Sequence, residues 1–259
     1  MQLFKDIKKY WNFLIVGTRA QLKSEVNNSY LDWIWWLLEP FCNMLVYTFI
    51  FGYVFHASED YFPVFVFIGV STWGFFSRNL NASVKLIEAN RGIVTKVYIP
   101  KQILLIKVMF VNFVKMILAY AVIAVMMVIY RVPVNICLVY MIPIFLLLFI
   151  LTYGICCFLM HFGVYMEDLH YITSIVLMIL MYFTGIFYNI EKRIPAPLGT
   201  ILNKANPVAF LISSMRDAMI YRSGIDKKLY CIWFFAVTVV AMAGTRLIYK
   251  NENSYVKVI

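Results

Sequence analysis

The stretch IPIFLLLFIL, residues 142–151, is apolar at every position apart from Pro143. A strand of a membrane barrel alternates polar and apolar residues over roughly 10 positions, because one face meets lipid and the other the lumen. This run does not alternate, so a barrel is excluded and a helix remains. About 20 apolar residues carry a helix across the hydrocarbon core of a bilayer, and the run lies inside such a segment, 135–163. Working outward, five more segments qualify: 33–55, 63–81, 108–130, 171–190 and 229–249. With a mean hydropathy of +0.80, 22 Phe and 14 Met, the 259 residues hold more apolar matter than a soluble core would enclose. The expectation is an all-α integral membrane protein with six transmembrane helices, one domain over 1–259, and little chain left for a soluble unit.

Residues 1–31 precede the first span. Leu3, Ile7, Tyr10, Trp11 and Leu14 recur at helical spacing, with Lys5, Lys8, Lys9 and Asn12 on the opposite face. That pattern predicts an N-terminal amphipathic interfacial helix lying in the headgroup plane, a soluble amphipathic helix being the plainer alternative. The uncharged apolar core at 13–16 is too short for a cleaved signal peptide.

Orientation follows from Lys and Arg near the span ends, which favour the cytoplasm. Residues 1–31 hold five, 82–107 hold five and the C-terminal end holds Arg246, Lys250 and Lys257, whereas 56–62 holds none and 131–134 only Arg131. Both termini are therefore expected inside. The segment 189–228 holds seven on the side read as external, and long loops obey the rule weakly. Within it, 194–202 and 207–221 are apolar-rich but interrupted by Pro195, Pro197, Gly199 and Pro207. Fifteen helical residues rise only about 22 Å, so two short re-entrant helices between spans five and six are expected, with an external surface loop as the alternative.

The connection at 82–106 contains NRGIVTKVYIPKQ, residues 90–102, with Arg91, Lys96 and Lys101 among Ile93, Val94, Val97 and Ile99. Pro100 is expected to end or bend a short helix. Plain anchoring to anionic lipid accounts for the bases; a partner-docking helix accounts for their mixture with apolar residues and for the length of the connection. Composition leaves these two open.

Four fragments together resemble the membrane subunits of polysaccharide, O-antigen and teichoic-acid ABC exporters, of the type-2 ABC permease family. The first is SYLDWIWWLLEP, 29–40, through Ser29, Leu31, Trp35 and Pro40. The second is FIGVSTWGFFSRNLNAS, 67–83, through Gly69, Trp73 and Phe76. The third is the 90–102 stretch, through Asn90, Lys96, Val97, Tyr98 and Pro100. The fourth is NPVAFLISSMRDAMI, 206–220, through Asn206, Pro207, Arg216 and Asp217. Asp32 and Glu39 depart from the pattern. The resemblance implies that the 82–106 connection is a coupling helix docked on a soluble ATPase subunit, with Asn90, Arg91, Lys96, Tyr98, Pro100 and Lys101 as coupling residues. It also implies a second, acidic contact through Glu167 and Asp168.

Neither G-x-x-x-x-G-K-[ST] nor H-E-x-x-H occurs, and the five Cys include no C-x-x-C. The chain is thus expected to bind no cofactor or metal, to form no disulfide and not to be an enzyme, with ATP and Mg held by the partner. The formal charge of +10 is spread around the spans instead of forming a nucleic-acid patch. Flat rings suit sliding sugars, and Trp35, Tyr47, Phe51, Tyr182, Phe183 and Phe187 are the candidates, although most aromatics in such a chain face lipid or the interfaces. Tyr47 with Phe51, and Phe183 with Phe187, are spaced to share a helix face. Arg19 and Lys23 are candidates for an anionic pyrophosphate head at the cytoplasmic mouth. Glu39 is a candidate cavity residue or a hydrated interfacial one, and Arg78 and Lys115 are expected to snorkel to the inner interface. The expected function is that of a homodimeric permease. With two ATPase copies, it exports an undecaprenyl-linked glycan or polyol-phosphate polymer across the cytoplasmic (inner) membrane of a bacterium. The alternatives are a permease of the same fold for a drug or lipid, and an integral-membrane glycosyl- or acyltransferase.

Overall fold

The computed structural model describes residues 2–26, 34–54 and 59–258, and among these every regular element is helical. Ser29, Leu31 and Asp32 lie outside the described residues. An amphipathic helix, α1 (Gln2–Lys9), comes first, followed by α2 (Trp11–Val26). α2 packs along the helix Lys101–Ile129. Leu14 and Thr18 are buried, and Trp11 sits edge-on to Phe110 at 6.4 Å. A Cβ on Gly17 would touch Lys107, and Glu25 pairs with Lys115. Gly17 with Lys107 and Glu25 with Lys115 keep the same sequence offset, so the two helices run parallel.

The remaining elements in chain order are α3 (Ile34–Tyr47), prolonged by a π-helical stretch Thr48–Val54, α4 (Phe62–Val84), the single turns α5 (Leu86–Ala89) and α6 (Arg91–Val94), and α7 (Lys101–Ile129). A 3₁₀ turn, Ile136–Tyr140, leads into α8 (Met141–Gly163), followed by α9 (Leu169–Phe183), α10 (Ile190–Arg193), α11 (Leu198–Ala205) and α12 (Pro207–Arg216). A π-helical turn, Asp217–Tyr221, extends α12, and α13 (Lys227–Val258) closes the chain.

Among the described residues, four segments are long and apolar enough to cross a membrane: Ile34–Val54, Lys101–Ile129, Ile136–Gly163 and Lys227–Tyr255. The other two expected spans differ for separate reasons. α4 has sufficient length, 23 residues, but carries Ser71, Thr72, Ser77, Arg78, Asn79 and Asn81. It tolerates them because α3, α7, α8, α9 and α12 pack around it, burying 16 of its residues. There its polar groups find protein partners: Asn112 donates to Asn79 at 2.8 Å, and Thr72 meets the Tyr120 hydroxyl at 2.7 Å. α9 is 15 residues long, about 22 Å at the helical rise. It stops short of the expected residue 190, and just beyond its end Gly185 takes a left-handed conformation, φ 66°, which glycine adopts at little cost.

Small residues let α8 and α13 approach closely. A Cβ on Gly154 would lie 3.1 Å from the Ala241 nitrogen, and one on Gly244 would lie 3.1 Å from the Gly154 carbonyl, so α8 and α13 pack backbone to backbone. One end of the bundle gathers both described termini with the connections 85–100 and 164–168. There Tyr10 donates to the Tyr98 carbonyl at 3.5 Å, Tyr249 to Asp6 and Tyr98 to Glu252 at 3.1 Å, while His161 meets the Tyr255 hydroxyl at 2.8 Å. The opposite end gathers 59–61, 131–135 and 184–226, joined by Lys192 and Tyr221 donating to Glu59 at 2.7 and 2.9 Å.

Candidate functional site

Four of the six candidate aromatics converge. Phe187 is buried at their centre, 2% exposed. Phe51 stacks on it with centroids 4.7 Å apart, Tyr47 tilts against it at 4.5 Å and Tyr182 at 6.1 Å. The expected face shared by Phe183 and Phe187 is corrected, since the helix ends at Phe183 and Gly185 turns the chain back toward α3. Phe183 instead lines a separate apolar cleft of about 450 Å³ with Trp73 and Phe76. Trp35 stands apart at the start of α3, 48% exposed.

Next to Phe187 a second cleft, of about 200 Å³, opens between α3, α4 and α7. Glu39 lines it, as a cavity residue would. Arg78 and Lys115 line it too, where snorkelling to the interface was expected. Lys115 is half-buried, paired with Glu25 and 5.5 Å from the Trp36 ring centre. Gly74 clears the space for Arg78, since a Cβ there would come 3.3 Å from the guanidinium. Distance along the chain hid this grouping: i to i+4 spacing relates Gly74 to Arg78, but nothing local relates either to Lys115. Arg19 and Lys23 are exposed on α2, one turn apart.

The segment 189–228 forms a helical hairpin. α11 runs inward, the chain reverses at Asn206–Pro207, and α12 runs back out. The reversal shares the apolar cleft with Trp73 and Phe76. Trp73 is eleven residues into α4, about 16 Å from its start at the helical rise. The first helix is Leu198–Ala205, displaced from the expected 194–202 because the Pro195 and Pro197 region precedes it. Asn206 and Pro207 build the reversal: the Asn206 side chain accepts from the Val208 and Ala209 amides at 3.0 and 3.3 Å, and Pro207 holds the first helical position, where its missing N–H costs nothing. Asn206→Ala is expected to cost about 1 kcal/mol, read as a lowered thermal midpoint of the purified protein; an unchanged midpoint would remove the cap from the account.

Arg216, 3% exposed, ties α12 to its surroundings. It donates to the carbonyls of Phe65 at 3.2 Å, Gly185 at 2.8 Å and Ile186 at 2.7 Å, with its guanidinium 3.4 Å from the Phe65 ring centre. Burial pushes the adjacent Asp217 carboxyl up to about 6, with Glu191 adding to the shift and Ser223 and Arg216 opposing it. The Glu59, Lys192 and Tyr221 grouping beside it carries no local sequence signal, because its members lie over 130 positions from Glu59.

At the end holding the termini, Arg91, Lys96 and Tyr98 are exposed together with Ile93 and Val97. Glu167 and Asp168 are exposed on the neighbouring connection, beside Tyr165 and Met166. The two connections meet because Gly163 lies against the Val84 carbonyl. Asn90 is half-buried and donates to the Leu86 carbonyl at 2.8 Å. Two expectations change here. Pro100 starts α7 instead of ending a short helix, so α7 begins at Lys101, and 101–106 belong to the buried bundle. Lys101 is 2% exposed, which rules out direct contact with a partner; its ammonium donates to the Ile99 carbonyl at 3.4 Å near Tyr98 and Glu252.

Residues 16–220 match a protein family described as ABC-2 type transporter. Among curated proteins, the chain is 24% identical over 253 residues to the O-antigen export system permease protein RfbA of Myxococcus xanthus, covering 98% of this chain and 97% of the relative. It is 23% identical over 250 residues to the O-antigen export system permease protein RfbA of Klebsiella pneumoniae, covering 96% and 95% respectively. A shorter match, 35% identical over 75 residues, covers 28% of this chain and 29% of the polysialic acid transport protein KpsM of Escherichia coli.

Proposed function

The chain belongs to the ABC-2 type transporter family, and on that premise we propose that it is the permease subunit of an ATP-driven polymer exporter. Its cargo is a lipid-linked polysaccharide or teichoic-acid-type polymer, moved outward across the cytoplasmic membrane of a bacterium. The observation that carries this reading is end-to-end similarity to O-antigen export permeases. With no P-loop in the sequence, ATP and Mg are bound by a separate ATPase, in two copies on a homodimer of this chain. Half a pore per chain suits closed two-fold symmetry, and the exposed apolar faces of α3 and α9, including Leu45, Phe49, Ile175 and Ile179, are available to a second copy.

α4 and α9 complete six crossings in this reading, α4 shielded by its neighbours and α9 extended by the turn after Phe183. The basic connection 85–100 and both termini face the cytoplasm, in keeping with the positive-inside rule. The 189–228 hairpin dips into the outer leaflet, where protein surrounds its backbone polar groups as a bilayer demands. The ATPase docks on Arg91, Lys96 and Tyr98 with Glu167 and Asp168 beside them, while Asn90, Pro100 and Lys101 hold that surface in place. Arg19 and Lys23 stand at the cytoplasmic mouth as contacts for the pyrophosphate head.

A double charge reversal, Arg91→Glu with Lys96→Glu, is expected to reduce co-elution of a soluble P-loop ATPase more than tenfold in mild detergent and to abolish glycan-stimulated ATP hydrolysis. Both side chains are exposed, so the fold should persist. Wild-type co-elution from the double variant would move the docking surface elsewhere, and the absence of any ATPase with the unaltered protein would sink the exporter reading.

A further inference from the structure

The cleft beside Phe187 holds polar groups that packing within the chain does not satisfy. Ser71, 3% exposed, and Arg78 both line it, and neither the Ser71 hydroxyl nor the Arg78 Nε has a hydrogen-bond partner among the described residues. Buried polar atoms are ordinarily paired, so two orphans facing one cavity point to a partner supplied from outside the chain.

Charge narrows what that partner is. Lys115 is paired with Glu25, and Glu39 shares the cleft with Arg78, so two cations are matched by two carboxylates. An anion entering here would meet Glu39 as well as Arg78. A neutral unit rich in hydroxyls would find a carboxylate that accepts, a guanidinium that donates and a serine that does either. Tyr47 lines the same space beside the buried Trp73 and Phe187 and offers a ring to the C–H side of such a unit.

We propose that this cleft is a subsite recognising one neutral sugar or polyol unit of the polymer through Glu39, Ser71 and Arg78. The proposal rests on the export reading and adds to it which part of the cargo the permease holds by hydrogen bonds.

The test titrates the full-length permease in lipid nanodiscs with glycan released from the native cell surface by mild acid, which removes the lipid pyrophosphate. Tryptophan emission reports binding, since Trp73 lines the cleft. Wild type should give a saturable change that inorganic pyrophosphate does not compete away. Glu39→Gln should weaken glycan binding about tenfold. Ser71→Ala should weaken it about threefold while the thermal midpoint holds or rises, because an orphaned hydroxyl has been removed; a purely structural serine would not separate the two readouts. Unchanged glycan binding in both variants, no saturable binding by wild type, or displacement by pyrophosphate would each overturn the proposal, the last in favour of a phosphate subsite. In parallel, cells lacking the gene are complemented with the wild-type chain and scored for surface glycan. Failure there refutes the export reading, whereas restored glycan with failed titrations refutes the subsite alone.

Discussion

Arg216→Met is expected to leave a protein that inserts but does not hold its 189–228 hairpin, with a loss of about 3 kcal/mol or more. The Phe65, Gly185 and Ile186 carbonyls each lose their guanidinium donor, and a buried acceptor left unsatisfied costs about 1–3 kcal/mol. Methionine refills much of the volume, so the loss reports the hydrogen bonds more than a cavity. The Phe65 ring also loses the cation stacked on it. Lysine at 216 should recover little, because one ammonium cannot reproduce the planar fork that reaches three separate carbonyls. Gly69 shows how tightly the fork is seated: a Cβ there would lie 2.7 Å from Nη2. The measurement is thermal denaturation in detergent, followed as the monodisperse fraction, with surface glycan scored in cells. A wild-type midpoint for Arg216→Met would show that the carbonyls are satisfied some other way.

The second large effect is expected from Gly163→Ala. A Cβ at this position would sit 2.0 Å from the Val84 carbonyl oxygen and 2.8 Å from its carbon. Both are backbone atoms, so no rotamer change relieves the contact and the ends of α4 and α8 must part. Overpacking of a tight site costs about 1–3 kcal/mol, occasionally more, and this contact belongs at the upper end. The damage falls where the 85–100 and 164–168 connections emerge side by side. ATPase co-elution should therefore drop severalfold while circular dichroism still reports a helical protein. Retained co-elution would mean that the two connections dock independently.

Apolar segment length read directly through to structure. The expected span 33–55 is the helix Ile34–Val54, and 135–163 is Ile136–Gly163, since a run of uncharged apolar residues has one solution in lipid, a helix with its backbone bonded internally. The Asn-Pro at 206 entered through the family resemblance, although a cap and a first-turn proline are themselves local devices. Elsewhere local spacing misled. Tyr47 and Phe51 do share a face, but Phe187 reaches them only because Gly185 reverses the chain. Lys101 has the composition of a docking residue yet is sealed behind Tyr98 and Glu252, a partner some 150 residues further on.

What the sequence determined by itself is the helical membrane class, the reach of most helices and the basic connection, because hydropathy, capping and charge bias act over a few neighbouring residues. Tertiary structure alone decided which charges are buried and what meets them. Arg78 and Lys115 read as anchors until α3 and α7 closed around α4, and Arg216 read as one more external base until its guanidinium was found among three carbonyls. A charge goes inside only when groups from distant segments arrive to receive it, and that arrival is a property of packing, invisible to any window along the chain.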